Sequence, residues 1–294
     1  MSTPRSSCKA KVQLRTTQLA RAEAFCALHH RPGAFVIPNP WDAGSAQLLA
    51  ALGFEALATT SAGYANALGR RDGAVSLHEK IAHCAALCAA TAVPISADLE
   101  NGFADSPAQV AVNLLALAQS GIVGGSIEDY SGNPAAPIYD FTLAVERVAA
   151  AAEAVHALPY PFTLTARAEN HLRGRQDLDD TLRRLQAYAA AGADVLYAPG
   201  LTTLDQIRLV TAAVSRPINV LAPMVKGVSV AELAAAGVKR ISVGGTLARA
   251  AMSALLRAGR EMMERGSFDW TAEIASTSEV ERLLVLGAPP PAPS

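Results

Sequence analysis

Short apolar runs alternate with longer amphipathic segments along most of this 294-residue chain, at a spacing of roughly 30 residues. The short runs have the length and composition of buried strands, and a segment with helical periodicity follows each of them. Eight strand–helix units in about 230 residues are the number and size expected of a (β/α)8 TIM barrel. The eight predicted strands are Ala34–Pro38, Ala56–Thr60, Pro94–Asp98, Val123–Glu128, Phe162–Arg167, Val195–Ala198, Ile218–Leu221 and Arg240–Val243.

The segments between the strands support the same α/β fold class. Several end in a glycine that is followed at once by the next strand, as in AALGFEAL and AAAGADVLY. Glycine takes the left-handed conformation after a helix at little cost. An open, doubly wound sheet is the main alternative, but neither GxGxxG nor GxxxxGK(S/T) occurs. The predicted helices include Leu77–Thr91, Pro107–Ser120, Phe141–Ala157, Leu178–Ala191 and Ser229–Ala235.

The two ends of the chain lie outside the predicted barrel core, which spans residues 33–260. Residues 1–16 are expected to form an extension. Residues 268–294 are expected to add a helix, Thr271–Leu286, and a proline-rich tail that cannot form a core. No linker is recognisable, so we predict a single catalytic domain over residues 1–294.

The composition excludes several classes of function. The net charge is −1 without a basic patch, which argues against binding of nucleic acid. The four cysteines do not form a short secreted framework, and the amino terminus lacks the apolar core of a signal peptide. No apolar run is long enough to cross a membrane. We therefore expect a cytoplasmic enzyme that does not bind membranes.

Charged side chains end three successive strands. Asp98 and Glu100 end the third strand, Glu128 and Asp129 end the fourth, and Arg167 ends the fifth. In barrel enzymes these ends share one rim, where the chemistry takes place. Converging carboxylates require a cation, and oxygen ligands without nearby His or Cys favour Mg²⁺, or Mn²⁺, over zinc. Taken singly, each acid could equally be a cap of the following helix.

The order of the motifs resembles one enzyme family. PNPWDAGSAQLLAALGFEAL is followed by GRRD, SADLENGFAD, SIED and TARAEN, and the similarity covers residues 33–260. On this pattern the chain is identified as a member of the isocitrate lyase/phosphoenolpyruvate mutase superfamily. The resemblance implies a TIM barrel with a Mg²⁺ site that stabilises an enolate.

The resemblance also implies roles for individual residues. It makes Asp98 the direct metal ligand, with Glu100 and Glu128 acting through water. Arg167 would bind the substrate carboxylate. Asp72 would lie on a mobile gate loop that closes over the site and excludes water. The catalytic residues would be Asp72, Glu128 and Arg167, and the small-residue loop at Thr60 and Ser61 would bind substrate.

The sequence departs from the family pattern at the metal hallmark and at positions expected to contact the substrate. Glu100 replaces the second Asp of the family hallmark. The loop Asp129–Asp140 lacks the Cys and Lys of the isocitrate and methylisocitrate lyases. Asn133 could stand in for a loop asparagine of the phosphonomutases, and Asn219 lies in an unusual register on the seventh strand. Both are predicted to bind substrate.

The expected activity is that of a Mg²⁺-dependent lyase acting on a carbon–carbon bond of a small 2-oxo or 2-hydroxy carboxylic acid. One alternative is phosphorus–carbon chemistry, as in a phosphonomutase or phosphonopyruvate hydrolase. Another is a binder of 2-oxo acids without catalytic activity. The expected partners are a small carboxylate substrate and further copies of the chain. In the related enzymes, dimers or tetramers form by exchange of the C-terminal helix between subunits.

Overall fold

Eight parallel strands form a nearly closed barrel in the computed structural model of the protein. It describes the backbone of residues 5–290 and the side chains of residues 18–290. From β2 to β8 each strand pairs with the next in sequence, and β8 pairs with β1 through Phe35–Arg240 and Ile37–Ser242. The strands are β1 (Phe35–Ile37), β2 (Leu57–Ala58), β3 (Ile95–Asp98), β4 (Gly124–Glu128), β5 (Thr163–Arg167), β6 (Val195–Tyr197), β7 (Ile218–Leu221) and β8 (Arg240–Ser242).

The seam between the first two strands is held by one backbone hydrogen bond, from the Ala58 amide to the Pro38 carbonyl at 3.0 Å. All eight predicted strands are present, and the TIM-barrel prediction is confirmed. The helices are α1 (Arg5–His30), α2 (Ala43–Ala51), α3 (Ser61–Ala67), α4 (Leu77–Ala90), α5 (Pro107–Ala118), α6 (Phe141–His156), α7 (Leu178–Ala190), α8 (Leu204–Ala213), α9 (Val230–Ala235), α10 (Thr246–Arg265) and α11 (Thr277–Gly287).

Helix α1 closes the barrel at the amino-terminal ends of the strands. Phe25 and Leu28 of this helix are buried in a cluster with Phe35, Ile37 and other apolar side chains of the strands. Gln18 anchors the helix by donating to the carbonyls of α5 and of the turn that follows it, both at 3.0 Å. Part of the predicted amino-terminal extension, residues 5–16, is helical and belongs to α1, whereas residues 1–4 lie outside the described residues.

Two local differences from the sequence prediction arise from helix caps. The segment after β2, predicted as a loop, contains α3, because the hydroxyl of Thr60 accepts from the Gly63 amide and starts a helical turn. The predicted helix Thr271–Leu286 starts too early. Ser276 caps α11 by accepting from Glu279, after a separate 3₁₀ turn. Of the proline-rich tail, residues 291–294 lie outside the described residues.

Helix α11 packs against α2 of the same chain, and its last residue, Gly287, makes the closest approach. A side chain at this position would overlap the backbone carbonyl of Gln47. We expect Gly287→Ala to loosen α11 and to lower the melting temperature, since backbone atoms have no room to give way. Gly259→Ala on α10 is the control. Its added methyl meets no atom within 4 Å, so it should be neutral or slightly stabilising.

None of the helices in residues 5–290 is long and apolar enough to cross a membrane.

Candidate active site

A cavity of about 170 Å³ opens at the carboxyl-terminal ends of the strands. Its upper wall carries side chains from the predicted site, among them Asp98, Arg167 and Asp72. Strand register explains the convergence. Asp98 on β3 is level with Ser126 on β4, and Glu128 on β4 is level with Arg167 on β5. Three successive strands therefore place their last polar residues at one rim.

Asp98 is held in a fixed orientation by both of its oxygens. Oδ1 accepts from Nη1 of Arg167 at 3.0 Å, and Oδ2 accepts from the backbone amide of Ser61 at 3.1 Å. Burial raises the pKa of Asp98, but the positive charges of Arg167 and Lys80, with hydrogen bonds from Ser61, outweigh burial and lower it overall. Asp98 is therefore ionised at neutral pH and available to a cation.

Arg167 binds three carboxylates with one guanidinium. Nη1 lies 3.0 Å from Asp98 and 3.1 Å from Oε2 of Glu128, and Nη2 lies 2.7 Å from Oε1 of Glu169. Glu169 is fully buried, and Arg173 contacts its other oxygen at 3.1 Å. Burial lowers the pKa of Arg167, but the three carboxylates raise it well above its ordinary value. The arrangement fixes a permanent positive charge on the cavity wall.

The remaining acids of the rim lie close together, and their pKa values are raised. Burial, and then the charges of Asp98 and Asp72, raise the pKa of Glu100 to about 7. Burial raises the pKa of Glu128 well above its ordinary value despite Arg167. The pKa of Asp72 is also raised, by burial and then by Asp98, although Ser61 donates to it. The rim therefore has more acidic groups than its own cations can keep ionised.

The raised pKa of Glu100 gives a stability prediction with a definite sign. A carboxyl that holds its proton to a higher pH in the folded than in the unfolded state stabilises the protein below pH 4.5. That stability is lost as the pH rises through about 7. In EDTA, Glu100→Gln should raise the free energy of unfolding by about 1–3 kcal/mol at pH 8, and by little at pH 4.

Chemical denaturation at the two pH values measures this effect. Glu153→Gln, on α6 away from the site, is the matched control and should change neither value. A Glu100→Gln gain of equal size at both pH values would show that crowding of charge is not the cause.

Thr60 and Ser61 both lie at the site and line the cavity. The Thr60 hydroxyl caps α3, and the Ser61 amide donates to Asp98. The segment between β2 and α4 therefore helps to hold the carboxylate of Asp98 in place. That the two residues bind substrate stays a prediction.

The two predicted asparagines differ in outcome. Asn219 is buried on the cavity wall, where it donates to the Ser242 hydroxyl at 2.9 Å and accepts from Arg240 at 2.9 Å. Asn133 is exposed and is not among the residues that line the cavity. Its side chain accepts from the Ala135 amide at 3.0 Å and shapes its own turn. That Asn133 binds substrate stays a prediction, since this structure places it outside the cavity lining.

Asp129 also turns away from the rim, although it follows Glu128 directly. Its oxygens accept from the Tyr188 hydroxyl at 2.6 Å, from Arg184 at 3.2 Å and from the Glu169 amide at 2.8 Å. Neighbouring residues on a strand point to opposite faces, so Glu128 faces Arg167 at the rim and Asp129 faces the surrounding helices. Asp129 is a structural residue that positions the chain after β5.

Sequence reasoning missed a buried lysine next to the cluster. Lys80 of α4 is only 1 % exposed, and its Nζ donates to the Thr59 hydroxyl at 3.0 Å. The same hydroxyl accepts from the Asp98 amide at 3.0 Å. A lysine within a helix that follows a predicted loop carries no signal of this contact, because it depends on how α4 packs against the barrel.

The donor set of the rim suits a cation that keeps much of its own water. Within the described residues, no three His, Cys, Asp or Glu side chains come together closely enough to hold a metal ion by themselves. Asp98 is ionised and accessible, with Glu100 and Glu128 near it. Mg²⁺ is commonly bound by one or two carboxylates and several waters. The acids present therefore fit Mg²⁺ better than a metal that needs a closed protein cage.

Known proteins share both the fold and the sequence pattern. A protein of Burkholderia cenocepacia, provisionally described as a lyase/mutase, has a solved structure that is 56% identical with a TM-score of 0.89. The match covers 91% of this chain and 96% of that one. An uncharacterized protein of Mycobacterium tuberculosis is 32% identical over 82% of this chain and 89% of its own. The 2-methylisocitrate lyase of Escherichia coli is 28% identical over 67% of this chain and 68% of its own.

The phosphoenolpyruvate phosphomutase family model matches residues 25–263, which include all eight strands and every charged residue of the rim. The resemblance inferred from the motifs is thereby confirmed, and the chain belongs to the phosphoenolpyruvate phosphomutase family, within the superfamily that also includes the isocitrate lyases.

Proposed function

We propose that this protein is a Mg²⁺-dependent lyase that cleaves or forms a carbon–carbon bond in a small 2-oxo or 2-hydroxy carboxylic acid through an enolate. The arrangement that carries the proposal is the pair of Asp98 and Glu128 on the guanidinium of Arg167, with Glu100 next to Asp98. It lies at the mouth of a cavity large enough only for a small substrate. The related 2-methylisocitrate lyase has a name that fits this reaction class.

Asp98 would hold the metal directly, and Glu100 and Glu128 would hold it through water. When bound, Mg²⁺ supplies a Lewis acid that stabilises negative charge on the 2-oxo oxygen. The excess negative charge at the rim supports this assignment, since burial and mutual repulsion raise the pKa values of Glu100 and Glu128. A cation at that position would relieve the repulsion.

The protein's own residues orient the substrate and exclude water. Arg167 is fixed by Asp98, Glu128 and Glu169, so its charge needs no rearrangement when a substrate carboxylate arrives. Asp72 lies on the loop between α3 and α4 and lines the cavity near the opening. Closure of that loop would bring Asp72 over the substrate and remove solvent from the reacting atoms.

One observation favours a second candidate, phosphorus–carbon chemistry. The loop after β4 contains neither Cys nor Lys, so it lacks the acid–base thiol of the isocitrate and methylisocitrate lyases. The loop is a closed turn, with Tyr130 bridged to Ile138 and the Ser131 hydroxyl donating to the Ala136 carbonyl. A phosphonomutase or phosphonopyruvate hydrolase has no need of that thiol.

A substrate panel separates the candidates. The protein is incubated with Mg²⁺ and either methylisocitrate, isocitrate, oxaloacetate, dimethylmalate or phosphonopyruvate. The formation of pyruvate, glyoxylate, oxalate, phosphate or phosphoenolpyruvate is measured, with EDTA as a control. We expect chelator-sensitive turnover of a carbon–carbon substrate. Turnover of phosphonopyruvate alone would favour the second candidate, and binding without any turnover would favour a non-catalytic binder. Activity unaffected by EDTA would overturn the metal assignment.

A further inference from the structure

A second arginine lies inside the barrel, below the acidic rim. Arg240 of β8 lines the cavity and is only 5% exposed. Its guanidinium crosses the barrel interior, because Nη2 donates to the Thr165 hydroxyl of β5 at 2.9 Å and Nε donates to Asn219 at 2.9 Å. Thr165 precedes Arg167 by two residues and so faces the same side of its strand. The guanidinium of Arg240 therefore lies one layer beneath that of Arg167.

The two arginines differ in their countercharges. Arg167 contacts three carboxylates, whereas no carboxylate within the described residues lies at ion-pair distance from Arg240. Its two hydrogen-bond partners are a neutral amide and a neutral hydroxyl, and Nη1 is buried without a partner. Burial lowers the pKa of Arg240 to about 10, so it remains charged at neutral pH.

Neighbouring titratable groups do not supply the missing negative charge. Tyr197 stays protonated near neutrality, since burial raises its pKa to about 12. His29 on α1 is neutral, because burial and then the charge of Arg240 lower its pKa to about 3. A buried cation without an anion costs several kcal/mol, and proteins rarely retain one unless a bound group compensates for it.

The floor of the cavity has further polar groups beside Arg240. Ser96, Ser126 and Ser242 line the same cavity, and the Ser242 hydroxyl accepts from Asn219 at 2.9 Å. A barrel interior is usually filled by branched apolar side chains. A polar floor with an uncompensated cation has the composition of an anion site.

We propose that Arg240 forms a second anion subsite at the floor of the cavity, which binds a carboxylate at the far end of the substrate. This inference rests on the proposed function, in which the near end of the substrate binds at the rim. Two residues of strand separate the layers of Thr165 and Arg167, or about 7 Å. The substrate would then be a short dicarboxylate lying along the barrel axis, and Arg240 would select against acids with an uncharged far end.

Two inert ligands of nearly equal size test the subsite. N-oxalylglycine and N-ethyloxamate share an oxalyl group for the metal end, and only N-oxalylglycine has a second carboxylate. Calorimetric titration in Mg²⁺ should show that the wild-type protein binds N-oxalylglycine about 10-fold or more tightly than N-ethyloxamate. Arg240→Met should remove this preference and leave the affinity for N-ethyloxamate unchanged. Arg216→Met, at the opposite end of the barrel, is the control and should retain the preference.

The outcomes separate the subsite from the proposed function. If both ligands bind the wild-type protein equally, or if the preference survives Arg240→Met, the proposed subsite is wrong. The proposed metal site is then unaffected. If neither ligand binds in Mg²⁺, the proposed function fails and the subsite with it. The comparison in the wild-type protein does not depend on the folding of any variant. Thr165→Val, which removes one hydrogen bond from Arg240, should weaken the preference if Arg240→Met is unfolded.

Discussion

Replacing Asp98 with Asn is expected to reduce Mg²⁺-dependent turnover by about 10³-fold or more while the protein stays folded. The Asn side chain has the same shape and can still accept from the Ser61 amide, but it has no charge to offer a cation or Arg167. Loss of one preorganised electrostatic group commonly costs about 10²- to 10³-fold in rate, and loss of the direct metal ligand should cost more.

The measurement is the rate on whichever substrate the panel identifies, together with the binding of oxalate in Mg²⁺ by calorimetry. Both should be lost in Asp98→Asn, whereas circular dichroism should be unchanged. Asp205→Asn, an exposed residue on α8, is the control and should retain both. If Asp98→Asn kept its activity and its sensitivity to EDTA, a different residue would have to be the metal ligand.

The second large effect is on stability. Arg167→Met should lower the free energy of unfolding by about 3–5 kcal/mol, because it leaves Asp98, Glu128 and Glu169 without their shared cation. Glu169 suffers most, since it is fully buried and retains only Arg173. Chemical denaturation at pH 7 measures the loss. Adding Glu169→Gln to Arg167→Met should restore part of it, because an amide needs no countercharge.

Arg208→Met provides the comparison. Arg208 and its partner Asp205 are both largely exposed, and exposed ion pairs contribute about 0–1 kcal/mol. If Arg167→Met cost no more than Arg208→Met, the carboxylates at the rim would have to be protonated in the folded protein and Arg167 would not be holding them.

The barrel and its rim could be predicted because both depend on local order in the chain. Each strand is a short apolar run with a turn on either side, and the parallel order of eight such runs brings their ends together without further information. Asp98 and Arg167 could be assigned to one rim on that basis alone. The same reasoning failed for Asp129, because a difference of one residue in strand register reverses the face on which a side chain lies.

What could not be predicted depends on contacts between elements far apart in the chain. Arg240 meets Thr165 across the barrel, and Lys80 meets Thr59 through the packing of α4. No periodicity or spacing reports such pairs. The position of Asn133 relative to the cavity also depends on its loop, where its side chain accepts from the Ala135 amide.

Helix α1 closes one end of the barrel, so the cavity opens only at the rim. Phe25 and its neighbours seal the end opposite the rim, so whatever enters beside Asp98 has to leave the same way. For a reaction that splits one molecule into two, a single opening implies that the products leave in a fixed order. The fragment nearest the rim departs first, and the fragment held against Arg240 departs last. The two products should then show different patterns of product inhibition. The product that leaves last should compete directly with substrate.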